Sequence, residues 1–261
     1  MEFVSTVFDG YELVAGIEGE GRTIVLIPGH TMSIDRWLNF GYVDDLSAEH
    51  RVVVVDPLGH GRSSNTSEVD AYGPDQLVAH LLAVFDRTET ESADVWGYSR
   101  GALMAGLLAR HSPERVKSLI YGGNVLFDPR PVLAELGLLP SPAALEEMHA
   151  RAMTGDWSAY WGAFPHPLPD ALKADIESRN DLGSISASGL AVHRYPVRWE
   201  VPEGVPTLAY WGSGEIFHQL NIDAASEQNS ATSVVGGAHA EAFALCRPAI
   251  EVAKAFWGSI D

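Results

Sequence analysis

The stretch Asp94-Val95-Trp96-Gly97-Tyr98-Ser99-Arg100-Gly101-Ala102-Leu103-Met104-Ala105 decides the fold. Its first three residues read as a buried strand, and Ala102 to Arg110 reads as an Ala/Leu-rich helix. Between them lies Gly-x-Ser-x-Gly, the spacing of a nucleophile elbow. A turn sharp enough to expose a serine at its tip holds that serine in strained backbone geometry. The residues two before and two after it then approach so closely that only small side chains fit. A helix that begins at the serine directs its free N–H groups and positive dipole end toward charge developing there. Taken alone the five residues also fit an ordinary turn; the strand before and the helix after favour the elbow.

The rest of the chain alternates in the same way. Residues 3–8 and 11–17 read as two strands joined at Asp9-Gly10, a hairpin turn signal. Thr23 to Ile27 and Arg51 to Asp56 are continuous apolar runs, suited to strands covered on both faces. A helix is expected from Ser33 through Trp37, Leu38 and Leu46, and another over 75–87 with Leu77, Val78, Leu81, Leu82 and Phe85 on one face. Strands follow at Val116–Tyr121, Val205–Trp211 and Ala231–Val235, and a helix from about Glu241 to Trp257 closes the chain. Strands alternating with helices imply a mostly parallel sheet covered by helices on both faces. From about Asn124 to Glu203 prolines are frequent and the helical segments short. The expected organisation is an α/β core domain of residues 1–123 and 204–261, interrupted by a helical cap over 124–203.

A chain of 261 residues, 46% of them hydrophobic, can bury one large core or two modest ones. With 17 basic and 35 acidic residues its formal charge is −18, which disfavours nucleic acid and anionic membranes as partners. Cys246, the lone cysteine, excludes an intramolecular disulfide and reads as a small core residue. No basic leader is visible, and no apolar run reaches the roughly 18 residues of a membrane span. A cytoplasmic protein, monomeric or homodimeric, is expected. The ten histidines show no ligand spacing on one helix, so no metal is expected. No dinucleotide fingerprint follows a strand, and no cofactor is expected.

A serine hydroxyl is a weak nucleophile that needs a base, itself oriented by a carboxylate. Gly212-Ser213-Gly214-Glu215 follows one strand and Gly236-Gly237-Ala238-His239 follows the last, so Glu215 and His239 stand at carboxyl strand ends, where the ligands of open α/β sheets gather. The sequence resembles the α/β-hydrolase fold superfamily, as a capped serine hydrolase of the esterase or lactonase kind. The likeness lies in Ile24–Ser33, Asp56–Ser63, Gly97–Gly101, Gly212–Glu215 and Gly237–Phe243, and covers nearly the whole chain. It implies an eight-stranded sheet, Ser99 as nucleophile, His239 as general base and then acid, and Glu215 as orienting carboxylate. It further implies an oxyanion hole from the backbone N–H groups of His30 and Arg100. Two departures stand out: Pro28-Gly29 replaces a frequent His-Gly, and Glu215 replaces the usual aspartate. Asp128, after the Val116–Tyr121 strand, is the alternative acid, and Asp223 a third.

The implied activity is hydrolysis of a small to medium, largely apolar ester, thioester or lactone. Carbon–carbon bond hydrolysis or lyase chemistry on the same triad, and a ligand-binding protein with little turnover, are the alternatives. Tyr98, Trp157, Tyr160, Trp161, Phe164 and Phe217 are candidate substrate contacts. Asp56 and His60 read as parts of a turn held by side-chain hydrogen bonds. Two readings of Arg100 are open: an ion pair with an acidic cap residue, which is favoured, or a contact to a substrate carboxylate.

Overall fold

A computed structural model describes residues 1–162, 168–228 and 230–260. Eight strands form one sheet: β1 (Glu2–Phe8), β2 (Tyr11–Glu18), β3 (Thr23–Ile27), β4 (Arg51–Asp56), β5 (Ala93–Tyr98), β6 (Val116–Gly122), β7 (Thr207–Gly212) and β8 (Ala231–Val235). Their order is β1-β2-β4-β3-β5-β6-β7-β8. β1 and β2 pair antiparallel in the hairpin expected from Asp9-Gly10, β2 pairs antiparallel with β4, and every other pairing is parallel. The apolar runs explain the order. All of β5 and β7, and all of β4 after Arg51, is buried. Such strands are stable only in a sheet covered on both faces.

The helices supply that cover. They are α1 (Ile34–Asn39), α2 (Tyr42–Leu46), α3 (Pro74–Arg87), α4 (Arg100–His111), α5 (Arg130–Glu135), α6 (Pro142–Ala152), α7 (Trp157–Gly162), α8 (Asp170–Arg179), α9 (Leu182–Arg194), α10 (His218–Glu227), α11 (His239–Ala244) and α12 (Cys246–Ile260). Two apolar clusters result. One gathers α3, α4 and the cap residues Leu145, Met148, Tyr160, Ile185 and Leu190 over Val25, Val53 and Val95. The other packs Trp37, Tyr42, Phe243, Ile250 and Trp257 against Ile24, Val54, Trp96 and Tyr210. Successive strand residues face opposite sides, so Val95 and Trp96 belong to different clusters. The cap helices α5–α9 stand between β6 and β7.

Two long helices expected from the sequence are broken in two. The first splits into α1 and α2 at Gly41, whose φ of 82° lies in the left-handed region. Ser33 occupies the N-cap position of α1 without a side-chain cap; the Asp56 carboxylate accepts the Ile34 N–H instead, at 2.7 Å. The closing helix splits at Leu245 into α11 and α12. Pro248 explains the break: it offers no N–H to Ala244 and its ring would strike that carbonyl, yet it fits the first turn of α12.

Candidate active site

Ser99 sits at the tip of the β5–α4 junction with φ 54° and ψ −122°, a conformation that costs a non-glycine residue on the order of 1–3 kcal/mol. The strain is held from three sides. The Ser99 N–H donates to the Gly122 carbonyl of β6 at 2.7 Å, and the Ser99 carbonyl accepts the Ala102 N–H at 2.9 Å. Gly97 and Gly101 lie so close that a Cβ on Gly97 would come within 2.2 Å of the Gly101 carbonyl oxygen. Arg100 is the first residue of α4, so its N–H has no acceptor within the helix. His30 stands in the loop after β3, the neighbour of β5 in the sheet. Among the described residues neither the His30 nor the Arg100 N–H donates to a protein acceptor, as an oxyanion hole requires.

Glu215 and His239 are brought together. The Glu215 Oε1 lies 2.9 Å from His239 Nδ1, with Glu215 largely buried and His239 half exposed. With Nδ1–H donating to the carboxylate, the unprotonated Nε2 is free to act as base. The turn after β7 and the loop after β8 are clamped by Ser213 N–H to Val235 O at 2.8 Å and Gly214 N–H to Gly237 O at 2.9 Å. β8 lies three strand spacings from β5, roughly 14 Å away. The loop nevertheless curls back to the elbow, because the Tyr98 hydroxyl donates to the His239 carbonyl at 2.5 Å. The Ser99 hydroxyl and the imidazole are not hydrogen-bonded to each other in this structure. Catalytic hydrogen bonds of this kind are often long until substrate is bound.

Asp128 is elsewhere engaged. It forms a forked ion pair with Arg130, two residues on, with a closest approach of 2.6 Å, and that guanidinium holds its carboxyl below the usual range. Asp223 is an exposed charge on α10, accepting from Gln219. Asp56 behaves as the turn reading expected. It is fully buried and accepts the Ile34 and Arg62 N–H groups, although burial still pushes its carboxyl up.

The candidate substrate contacts divide. Tyr98 stands apart from the rest: its ring is buried at 1% exposure among Trp96, Tyr210 and Phe243, on the face of the sheet away from α4 and the cap, and its hydroxyl donates to the His239 carbonyl. Trp157 and Trp161 stack on each other at 5.4 Å, and Trp161 donates to Glu177. Tyr160 comes near the His30 loop, its ring 6.2 Å from that of His30. Phe217 packs edge-on against Phe127 at 5.7 Å. Phe164 falls outside the described residues.

Arg100 also departs from expectation. No carboxylate pairs with it among the described residues; its guanidinium donates to the Ser188 carbonyl of α9. His30 stands 3.4 Å from the Ser188 hydroxyl and 5.8 Å, ring to ring, from His60. Burial first, then the Arg100 charge, drives the His30 imidazole well below its ordinary pKa. His60 is pushed down to about 4, chiefly by burial. Both imidazoles are therefore neutral at pH 7. Ser188 carries no sequence signal; only the cap's descent over the elbow gives it a place in the site.

Known proteins agree with this architecture. The family model described as alpha/beta hydrolase fold matches residues 22–148. A Bacillus subtilis (strain 168) protein, provisionally named 2-succinyl-6-hydroxy-2,4-cyclohexadiene-1-carboxylate synthase, is 27% identical over 79% of this chain and 79% of its own length. The pimeloyl-[acyl-carrier protein] methyl ester esterase of Aliivibrio salmonicida (strain LFI1238) is 36% identical over 40% of this chain, which spans 36% of that relative. The crystal structure of MGS-M2, an alpha/beta hydrolase enzyme from a Medee basin deep-sea metagenome library, superposes with a TM-score of 0.74 at 18% identity, covering 98% of this chain and 97% of that one. Among the described residues no helix is long and apolar enough to cross a membrane, and no cluster of three or more His, Cys, Asp or Glu could hold a metal.

Proposed function

We propose that the chain, whose fold is that of the α/β hydrolases, is a serine hydrolase cleaving a carboxylic ester, thioester or lactone through an acyl-enzyme. The observation that carries this reading is the 2.9 Å contact of Glu215 with His239, on a loop bonded to the residue before a strained Ser99. In this mechanism His239 Nε2 takes the Ser99 proton as the hydroxyl oxygen attacks the substrate carbonyl. The His30 and Arg100 N–H groups hold the oxyanion, each such donor being worth on the order of 10²–10³ in rate. Collapse expels the alcohol, thiol or ring oxygen, protonated by His239. Water activated by the same imidazole then releases the acid and restores Ser99. Glu215 stays ionised and fixes the imidazole's tautomer. The esterase name of the Aliivibrio relative supports the ester substrate.

Carbon–carbon bond cleavage or lyase chemistry on the same triad is the second reading. It is favoured by the Bacillus relative, which is named a synthase and not a hydrolase. Intact-mass labelling with a fluorophosphonate tests the first reading without the natural substrate. A single adduct on the wild type, lost in Ser99→Ala, is the expected result. Folded wild type that takes no adduct would remove the activated serine and with it the hydrolase reading.

A further inference from the structure

Among the described residues no carboxylate pairs with Arg100, a cation beside the nucleophile and beneath the cap. One of its five N–H donors is taken by the Ser188 carbonyl. The groups that act on it electrostatically are Tyr72 and Tyr160, and it in turn bears on His30 and His60; no carboxylate is among them. Outside the described residues, 163–167 read Ala-Phe-Pro-His-Pro, position 229 is Asn, and Asp261 is the one acid. Enclosure brings the guanidinium down to about 10, so it remains charged at neutral pH, while the two imidazoles beside it are neutral. A desolvated charge normally has an ionic partner inside the protein. With 35 acidic residues in the chain, the lack of one here among the described residues is a feature of the site and not of the composition.

We propose that Arg100 is the anchor for a carboxylate on the substrate, so that the site takes carbonyl compounds bearing a free carboxylate, such as half-esters of dicarboxylic acids. This deepens the hydrolase reading and rests on it. The planar guanidinium fork matches a carboxylate in two parallel hydrogen bonds, and the neutral imidazoles of His30 and His60 neither compete for the anion nor repel the cation. His60 Nε2, buried and without a partner, is a further polar atom in the same neighbourhood. The protein's overall charge of −18 repels anions, so any preference for an anionic substrate has to come from a local cation. Backbone and side chain of one residue would thus divide the substrate: the Arg100 N–H takes the oxyanion and its guanidinium takes the distal carboxylate.

A matched pair of substrates, p-nitrophenyl butyrate and mono-p-nitrophenyl glutarate, tests this in wild type, Arg100→Gln and Arg100→Lys. Wild type is expected to favour the glutarate half-ester in kcat/KM, and Arg100→Gln to lower the ratio of kcat/KM on that ester to kcat/KM on the neutral one by on the order of 10²-fold. Lysine should restore part of the preference, since it keeps the charge and loses the fork. Glutarate should raise the Tm of wild type and of Ser99→Ala, and leave that of Arg100→Gln unmoved. If neither ester turned over, the hydrolase reading would fall, while glutarate stabilisation dependent on Arg100 would still uphold the anchor. The anchor is overturned if wild type shows no preference and no stabilisation by glutarate, or if the preference survives in Arg100→Gln. A large loss of Tm in Arg100→Gln without ligand would also overturn it, because the guanidinium would then be a strut between α4 and the cap.

Discussion

At the scale of single residues, the site turns on which carboxylate orients His239. Glu215 is one methylene longer than the family's usual aspartate, and it reaches Nδ1 because the turn after β7 is clamped to the loop after β8. Asp128 spends its carboxylate on Arg130 at the cap entrance. Glu215→Ala is therefore expected to lower kcat by on the order of 10²–10⁴, with Asp128→Ala within a few-fold of wild type, as read by initial rates on an activated ester. Equal losses from the two variants would return Asp128 to the triad. Tyr98 invites a second test. Its hydroxyl holds the His239 carbonyl from inside the core, so Tyr98→Phe should lower kcat more than it raises KM, the mark of a positioning residue. A rise in KM alone would make it a substrate contact after all.

At the scale of elements, the elbow is a joint between β5, α4 and the β3 loop that tolerates no added atom. A Cβ on Gly101 would stand 2.1 Å from the Ile27 carbonyl oxygen, and backbone cannot yield as the tip of a flexible side chain can. Gly101→Ala is expected to cost more than about 3 kcal/mol in urea unfolding. Gly258→Ala, in open space near the end of α12, should be neutral or stabilise by up to about 1 kcal/mol. A small effect at Gly101 would mean that the elbow relaxes, and with it the strain attributed to Ser99. The elements also show where periodicity misleads. The apolar stripes of Trp37–Leu46 and Phe243–Trp257 are continuous, and each reads as one helix. A left-handed glycine in one and a proline four residues past Ala244 in the other divide them, so that each half covers its own part of the sheet.

At the scale of the whole molecule, a buried polar chain ties the ends of the sequence together. Asp94, 1% exposed at the start of β5, takes a fork from Arg22 just before β3 and a 2.6 Å hydrogen bond from Ser118 of β6. Trp257 of α12 donates to the same Ser118 at 3.1 Å. Asp94→Ala leaves Arg22 and Ser118 without their shared acceptor and is expected to cost about 3–5 kcal/mol in denaturant unfolding, while fluorophosphonate labelling of the folded fraction persists. A cost below about 1 kcal/mol would show that the pair is screened by solvent at Arg22, whose side chain is 29% exposed.

The sheet, the elbow and the chain order Ser99, Glu215, His239 were legible in local chemistry: apolar runs bounded by turn residues, Gly-x-Ser-x-Gly, and Gly-Gly before His239. What it left open were choices between side chains equally able to act. Which carboxylate lies against His239, which loop the Tyr98 hydroxyl meets and what surrounds Arg100 depend on which loops meet at the carboxyl edge of the sheet. Ser188 shows the limit most plainly, since nothing adjacent to it in the chain marks it, and α9 alone carries its carbonyl to Arg100. Contacts between residues some ninety positions apart depend on the packing of cap on core. No spacing along one strand or helix encodes that.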